Sequence, residues 1–330
     1  MNLNKYLNYV NFITRSTPDP ALMGGKGSNL VKLAQIGVIV PPGFIVNVNS
    51  YKMFLEKSEY GEQIKELLRI DYKAKDVLPL SSNIKDLILR SGIPEGVLNE
   101  VKLSFEQIHE NFGSEISFAV RSSASIEDSS QFSFAGQADT FLYNKSFDDV
   151  IKSIKECWAS LFSPGAMLYL LQMRKKGIEL SLLDIEMAVV VQEMINSHIS
   201  STLFTVNVLN NDKNSMYIIS TWGLGETLAN NIIVPDSLII DRKDFKIMKE
   251  EIGKKKKKSI QNPERSGTIM VENDPFSRKS CSLNERQIQQ ICKLGLEIED
   301  AFGSPQDIEL AIENDIVYIL QSRPITTLKI

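Results

Sequence analysis

Apolar positions along the chain change their spacing near its middle. From residue 50 to residue 112 they recur at helical period, with one break at Gly92 to Pro94. Residues 146–176 continue that period as two helices split at Ser163-Pro164-Gly165. The texture then changes. Met187 to Ile195 reads Met-Ala-Val-Val-Val-Gln-Glu-Met-Ile, a β-branched run of the kind that fills a buried strand. Further strands are predicted near 201–206, 215–221 and 237–241, with earlier ones at 117–121 and 140–143. A long helix over 284–301 carries Ile288, Ile291, Cys292 and Gly295 at helical spacing, and two last strands cover 306–312 and 316–322. A helix-rich first half and a sheet-rich second half predict an α+β chain of two lobes, 1–185 and 186–330, dividing in the polar stretch after Gly177.

Near the N-terminus, Gly24-Gly25-Lys26-Gly27 forms a glycine turn before a helix predicted over Ser28 to Gln35, which Gly37 stops. Pro41-Pro42-Gly43-Phe44 marks a rigid turn, because proline cannot donate to a sheet ladder. Residues Ser122 to Gln137 read as a polar loop.

The 330 residues suffice for a sizeable core in two lobes. Hydrophobic residues at 43% and charged residues at 24% describe an ordinary globular chain, and a net charge of -4 argues against a nucleic-acid binder. The single basic run, Lys254 to Lys258, is expected to be a solvated loop. No stretch is long and apolar enough for a membrane span, and the first residues lack the apolar core of a signal peptide. Cys157, Cys281 and Cys292 have no metal-ligand spacing, which predicts buried thiols and a cytoplasmic setting. His109 and His198 are too far apart to predict a histidine zinc site or a Ser-His triad.

Three segments carry candidate chemistry. The glycines around Lys26 let backbone N–H groups approach an anion at a helix start, though the same residues also fit a plain turn with an exposed lysine. Arg121 ends a strand and faces the polar loop that continues to Gly136 and Gln137; this suits bidentate binding of phosphate oxygens, or a salt bridge above a loop. At the C-terminus, Asp307 and Glu309 share one strand face, as do Gln321 and Arg323. Register decides whether the pairs meet. A three-residue turn at Glu313 to Asp315 puts all four on one face; a two-residue turn puts the pairs on opposite faces. All four are expected on one face, where Glu309 and Gln321 supply hard oxygen ligands for Mg2+ and Arg323 neutralises a transferring phosphoryl group. Gln192, Glu193 and Met194 end the buried strand, where backbone groups can meet an adenine ring or Met194 can simply pack in the core.

In this order the segments resemble one family: the ATP-binding domain of phosphoenolpyruvate synthase, pyruvate phosphate dikinase and rifampicin phosphotransferase. The matching pieces are Gly24-Gly25-Lys26-Gly27, Val120-Arg121-Ser122-Ser123-Ala124, Phe134-Ala135-Gly136-Gln137, Cys157-Trp158-Ala159-Ser160-Leu161-Phe162, Gln192-Glu193-Met194, Gly223-Leu224-Gly225-Glu226, Pro305-Gln306-Asp307-Ile308-Glu309 and Gln321-Ser322-Arg323-Pro324. The resemblance implies an ATP-grasp fold, with ATP and Mg2+ between a helix-rich lobe and an antiparallel sheet-rich lobe. It implies that Lys26, Arg121 and Arg323 hold phosphates and that Glu309 and Gln321 bind Mg2+ with Asp307 in support. Gln192 and the backbone of Glu193 and Met194 would read adenine, and Glu226 would make a second polar contact. The chain departs from the family at Ser201, where glycine is usual, at Val206-Asn207-Val208, where Asp-Pro follows the threonine, and at Gly165 and Leu170, where arginine is common.

In that family a swivelling domain carries a histidine, in a Gly-Thr-Ser-His type of motif, that accepts phosphate from ATP. Neither His109 nor His198 matches. The resemblance therefore implies a phosphotransferase whose phosphohistidine lies on another chain or an absent domain and passes phosphate to a small-molecule acceptor. Nucleic acid and membrane are not expected partners. Two other readings stay open: a self-contained small-molecule kinase that yields ADP, and a non-catalytic ATP-sensing regulatory subunit.

Overall fold

The computed structural model describes residues 7–124, 140–178 and 181–326. The elements run β1 (Val10–Phe12), α1 (Pro20–Gln35), β2 (Gly43–Val46), α2 (Val48–Lys57), α3 (Gly61–Leu68), α4 (Val77–Arg90), α5 (Glu95–Phe112), β3 (Phe118–Ala124), β4 (Thr140–Asn144), α6 (Phe147–Ser160), α7 (Pro164–Lys175) and β5 (Met187–Glu193). They continue as β6 (Ile199–Phe204), β7 (Ser215–Trp222), α8 (Glu226–Ala229), β8 (Asp236–Asp241), β9 (Ile247–Glu251), β10 (Lys257–Gln261), β11 (Thr268–Glu272), α9 (Glu285–Phe302), β12 (Gln306–Glu313) and β13 (Ile316–Pro324). The chain is α+β, as its periodicities predict.

It divides into two compact units. One comprises residues up to Val31 with Pro42–Met194; the other comprises Lys32–Pro41 with Ile195 onward. The boundary expected near residue 185 therefore falls nine residues later, and the reason is β5. That strand pairs with both β2 and β3, so it belongs to the first unit's sheet.

The first unit holds an antiparallel sheet ordered β1-β2-β5-β3-β4. Phe44, Val46, Phe118, Val120, Val189 and Val191 line one face and pack into a core with α2 to α7. Fully buried Trp158 lies against Tyr51 and Phe54, with ring centroids 5.9 and 4.9 Å away. Capping sets the helix starts. Ser146 and Asp149 form a reciprocal capping box on α6, and Ser163 caps α7 just before Pro164. The double proline lies immediately before β2 rather than inside it, so the apolar residues that follow pair freely on both sides.

The second unit holds a sheet ordered β13-β12-β6-β7-β8-β9 and a separate hairpin, β10-β11. Helix α9 packs on the sheet face that carries Leu203, Ile308 and Leu310. Gly295 permits this, since a Cβ there would stand 2.3 Å from Leu203 Cδ2. Asn284 and Gln287 cap α9, and Gly303 closes it in the left-handed region. At the β13 edge, Ile319 N–H donates to Ile39 O at 2.9 Å, which draws the segment after α1 into this unit.

The lysine run differs from expectation. Lys255 is fully buried and paired with fully buried Asp236, while Lys257 and Lys258 open β10. Asp236 Oδ1 also accepts from Gly253 N–H at 2.9 Å, and Oδ2 accepts from the Ser282 N–H and hydroxyl at 2.8 Å. A buried carboxylate demands such partners, so one lysine of the run turns inward. Cys157 and Cys292 are buried and Cys281 is half-buried; burial pushes the Cys292 thiol up to about 12.

Candidate functional site

In the first unit, the register places Ala119 opposite Gln192, Arg121 opposite Val190 and Ser123 opposite Ala188. Arg121, Ser123 and Gln192 therefore share the sheet face turned away from the helical core. The first turns of α1 lie on this face. Asp19 Oδ1 accepts from the N–H groups of Ala21 and Leu22, so the helix begins at Pro20, earlier than the glycine turn that the sequence predicts. The glycine motif sits inside α1, and Gly24 alone absorbs the break, at φ 67°. A Cβ on Gly24 would fall 2.1 Å from Ser123 O. Ser123 locks the kink: its hydroxyl donates to Met23 O at 2.8 Å and accepts from Gly27 N–H at 3.1 Å. Lys26 Nζ then donates to Ser122 O at 3.1 Å, one residue from Arg121. Two cationic residues are thus brought together on one side of one sheet.

Thr140, which the motifs did not single out, stands directly opposite Arg121 on β4 and is exposed. A lone threonine at a strand start carries no sequence signal; only the pairing marks it. Gln192 is buried at the end of β5. Of the backbone groups expected to meet an adenine, two amides are engaged in the sheet and its approach, Glu193 N–H with Pro42 O and Met194 N–H with Ser117 O, both at 2.8 Å. Gly136 and Gln137 lie outside the described residues.

In the second unit, β12 and β13 join through a two-residue turn, with Glu313 opposite Ile316. Asn314 and Asp315 both take positive φ, 50° and 62°, as a tight hairpin turn requires. That turn alone would put the acids opposite the wrong partners. A β-bulge between Glu309 and Leu310 in the register shifts it by one. Beyond it, Glu309 stands opposite Gln321 and Asp307 opposite Arg323. All four thus share one face, by a two-residue turn and a bulge rather than by a three-residue turn. Arg323 donates Nε and Nη2 to Asp307 Oδ2 at 2.9 and 2.8 Å.

Glu226 is tied elsewhere. Its Oε1 accepts from the hydroxyls of Ser259 and, at 2.7 Å, Thr268, which fastens α8 to the β10-β11 hairpin. Ser201, at the position that departs from the family, donates its hydroxyl to Ile219 O at 2.7 Å on the opposite sheet face.

The described residues contain no group of three or more His, Cys, Asp or Glu able to hold a metal. Glu309 and Gln321 offer two adjacent oxygen donors, a set that suits a hard cation completed by phosphate and water. Within the first unit, Lys26 and Arg121 are suited by charge to phosphate oxygens; within the second, Glu309 and Gln321 are suited to a hard cation. The chain belongs to the family of the pyruvate phosphate dikinase AMP/ATP-binding domain, whose description matches residues 20–330. It is 36% identical to the phosphoenolpyruvate synthase of Pyrococcus furiosus over 95% of this chain and 43% of that protein. It is 37% identical to a probable phosphoenolpyruvate synthase of Archaeoglobus fulgidus over 94% of this chain and 40% of that protein. It is 35% identical to the rifampicin phosphotransferase of Bacillus cereus over 93% and 34%. The chain spans less than half the length of these relatives. No helix among the described residues is long and apolar enough to cross a membrane.

Proposed function

We propose that this chain binds Mg-ATP in an ATP-grasp manner and supplies the ATP-splitting step of a dikinase-type phosphotransfer. The observation that carries the reading is the paired register of β12 and β13, which sets Glu309 against Gln321 and Asp307 against Arg323. In this reading Glu309 and Gln321 hold Mg2+, which neutralises phosphate charge when bound. Lys26 and Arg121 hold phosphate oxygens, Arg323 offsets negative charge on the transferring group, and Asp307 orients Arg323. Gln192 contacts the adenine, with the carbonyl side of Glu193 and Met194 in support.

ATP is split to AMP: the β-phosphoryl group passes to a histidine, and the γ-phosphate leaves as inorganic phosphate with water as co-reactant. The histidine belongs to another chain or to a further domain, and a small molecule is the final acceptor. Membership in a family whose relatives are named phosphoenolpyruvate synthase and rifampicin phosphotransferase supports this route, as does the placement of the two histidines. His109 Nδ1 lies 3.0 Å from Phe105 O on α5, and His198 stands in the β5-β6 connection. We place the activity in the cytoplasm, where ATP and reduced thiols coexist.

Calorimetric titration with Mg-ATP tests the binding. Arg323→Ala and Glu309→Ala are expected to weaken it about tenfold or more, in line with loss of a charge-assisted contact or a metal ligand. Incubation of the chain alone with Mg-ATP tests the route. Rapid AMP formation without a partner would defeat an acceptor histidine elsewhere, and ADP formation with a small acceptor would favour a self-contained kinase.

A further inference from the structure

Behind the four paired residues, on the face of β12 and β13 turned towards α9, a polar chain runs through an apolar layer. Ile308 and Leu310 are at most 2% exposed, yet Thr205, Gln306 and Ser322 beside them are each 0% exposed. The groups satisfy one another. Gln306 N–H donates to Thr205 Oγ1 at 2.9 Å, and Thr205 N–H donates to Gln306 O at 3.0 Å. Ser322 Oγ donates to Gln306 Oε1 at 2.7 Å, and Gln306 Nε2 donates to Ser304 O and Oγ at 3.0 and 3.1 Å. Arg242 anchors the far end, donating Nη1 to Thr205 O at 2.5 Å while pairing with Glu299 on α9.

Two members adjoin site residues in sequence: Gln306 precedes Asp307, and Ser322 lies between Gln321 and Arg323. The bulge gives this position its meaning. With the two-residue turn and no bulge, Gln321 would stand opposite Ile308 and Arg323 opposite Gln306, both turned into the buried layer. The shifted register turns them out and sends Ser322 in. A buried hydroxyl is tolerated only where an acceptor meets it, and Gln306 is that acceptor. Apolar side chains of matched shape fill such a layer at little cost, so burial alone does not call for the polar pair.

We propose that Gln306 and Ser322 are positioning residues: their buried hydrogen bond holds the shifted hairpin register that presents Gln321 and Arg323 beside Asp307 and Glu309. The proposal rests on the Mg-ATP reading for its activity consequence, but not for its structural one. The bond sets the height of β13 against β12, and the Thr205 link sets β12 against β6. Together they fix the distance between the oxygens of Glu309 and Gln321, to which a small octahedral cation is sensitive.

The test is the paired variant Gln306→Leu with Ser322→Ala, which removes donor and acceptor together, and Ser322→Ala alone should the pair not fold. Thermal unfolding is expected within several degrees of the parent, because Ser322 and its acceptor leave together and the groups that lose the Gln306 Nε2 donor, Ser304 O and Oγ, belong to a half-buried residue. The Mg2+-dependent gain in ATP affinity is expected to fall about tenfold, as for loss of an outer-sphere partner of a metal ligand. ATP affinity without Mg2+, which draws on Lys26 and Arg121 as well as Arg323, is expected to fall clearly less. Amide hydrogen exchange at Gln321 to Arg323 is expected to quicken about tenfold, in step with a hydrogen bond lost. An unchanged Mg2+ gain together with unchanged exchange would overturn the proposal, as would an equal loss of ATP affinity with and without Mg2+. If the parent shows no Mg2+-dependent gain, the Mg-ATP reading fails by itself. Hydrogen exchange then decides the positioning role: faster exchange confined to Gln321 to Arg323 supports it, and unchanged exchange overturns it.

Discussion

At Asp307, burial pushes the carboxyl above its ordinary value of 3.8, and the charge and hydrogen bond of Arg323 offset only part of that push. Glu309 on the same face adds to it. The folded value lies above the unfolded one, so the fold favours the protonated form. The stability this gives is fully present below the unfolded value and is lost as pH rises through the folded one. At neutral pH the ionised carboxylate therefore works against the fold, while orienting Arg323 for the proposed chemistry. Asp307→Asn is expected to unfold at the same temperature as the parent or about 1–3 °C higher at pH 7, on the usual scale for a small free-energy change. The difference should shrink as pH falls below the carboxylate range. Mg-ATP affinity should drop in the same variant. Thermal scans across pH check the sign: a variant less stable than the parent at pH 7 would show the ion pair to be a net support of the fold.

Helix α9 and the strand it covers depend on one missing side chain. Gly295 lies in the middle of an 18-residue helix, where glycine is less favourable than alanine by up to about 1 kcal/mol. Packing outweighs propensity here, since a Cβ would meet Leu203, which is 1% exposed. Gly295→Ala is expected to destabilise by about 1–3 kcal/mol, the usual cost of overfilling a packed core. Leu203→Val in the same chain should restore part of it, because the two sites share one contact. Denaturant unfolding of the single and double variants checks the coupling, and additive losses would refute the clash. This helix is legible in the sequence because Ile288, Ile291, Cys292 and Gly295 recur at helical spacing, and so are α6, α7 and β5. The edge elements are not. Strand β9 reads Ile-Met-Lys-Glu-Glu with every residue exposed, and β10 reads Lys-Lys-Ser-Ile-Gln. Neither offers the apolar alternation that marks a half-buried strand. Asp307, Glu309, Gln321 and Arg323 stood out by their spacing, but the bulge that aligns them did not. Ile316 to Leu320 is an unbroken apolar run, which leaves no alternation to reveal a shift of one residue.

Across the molecule, the two compact units do not follow chain order. Lys32–Pro41 is contiguous with the first unit on its N-terminal side yet counts with the second. Its role there is specific. The second unit's sheet ends at β13 on one side, and the 39–319 backbone hydrogen bond covers that edge. Lys32 adds a cation–π contact with Phe302 at the end of α9, 4.1 Å from the ring centroid. A strand left without its neighbour presents open N–H and C=O groups to any passing strand, and β13 is apolar from Ile316 to Leu320. Residues 195–330 produced alone are therefore expected to self-associate at micromolar concentration. The same fragment with residues 32–41 joined through a flexible linker is expected to stay dispersed and to unfold several degrees higher, roughly the effect of one or two kcal/mol on a domain of this size. Light scattering and thermal unfolding of the two fragments decide the matter. Equal scattering and equal unfolding temperatures would mean that the segment only passes by the edge and does not protect it. A dispersed linked fragment would show that the second unit is completed by a piece of chain more than 150 residues away in sequence, which no reading by lobes in chain order contains.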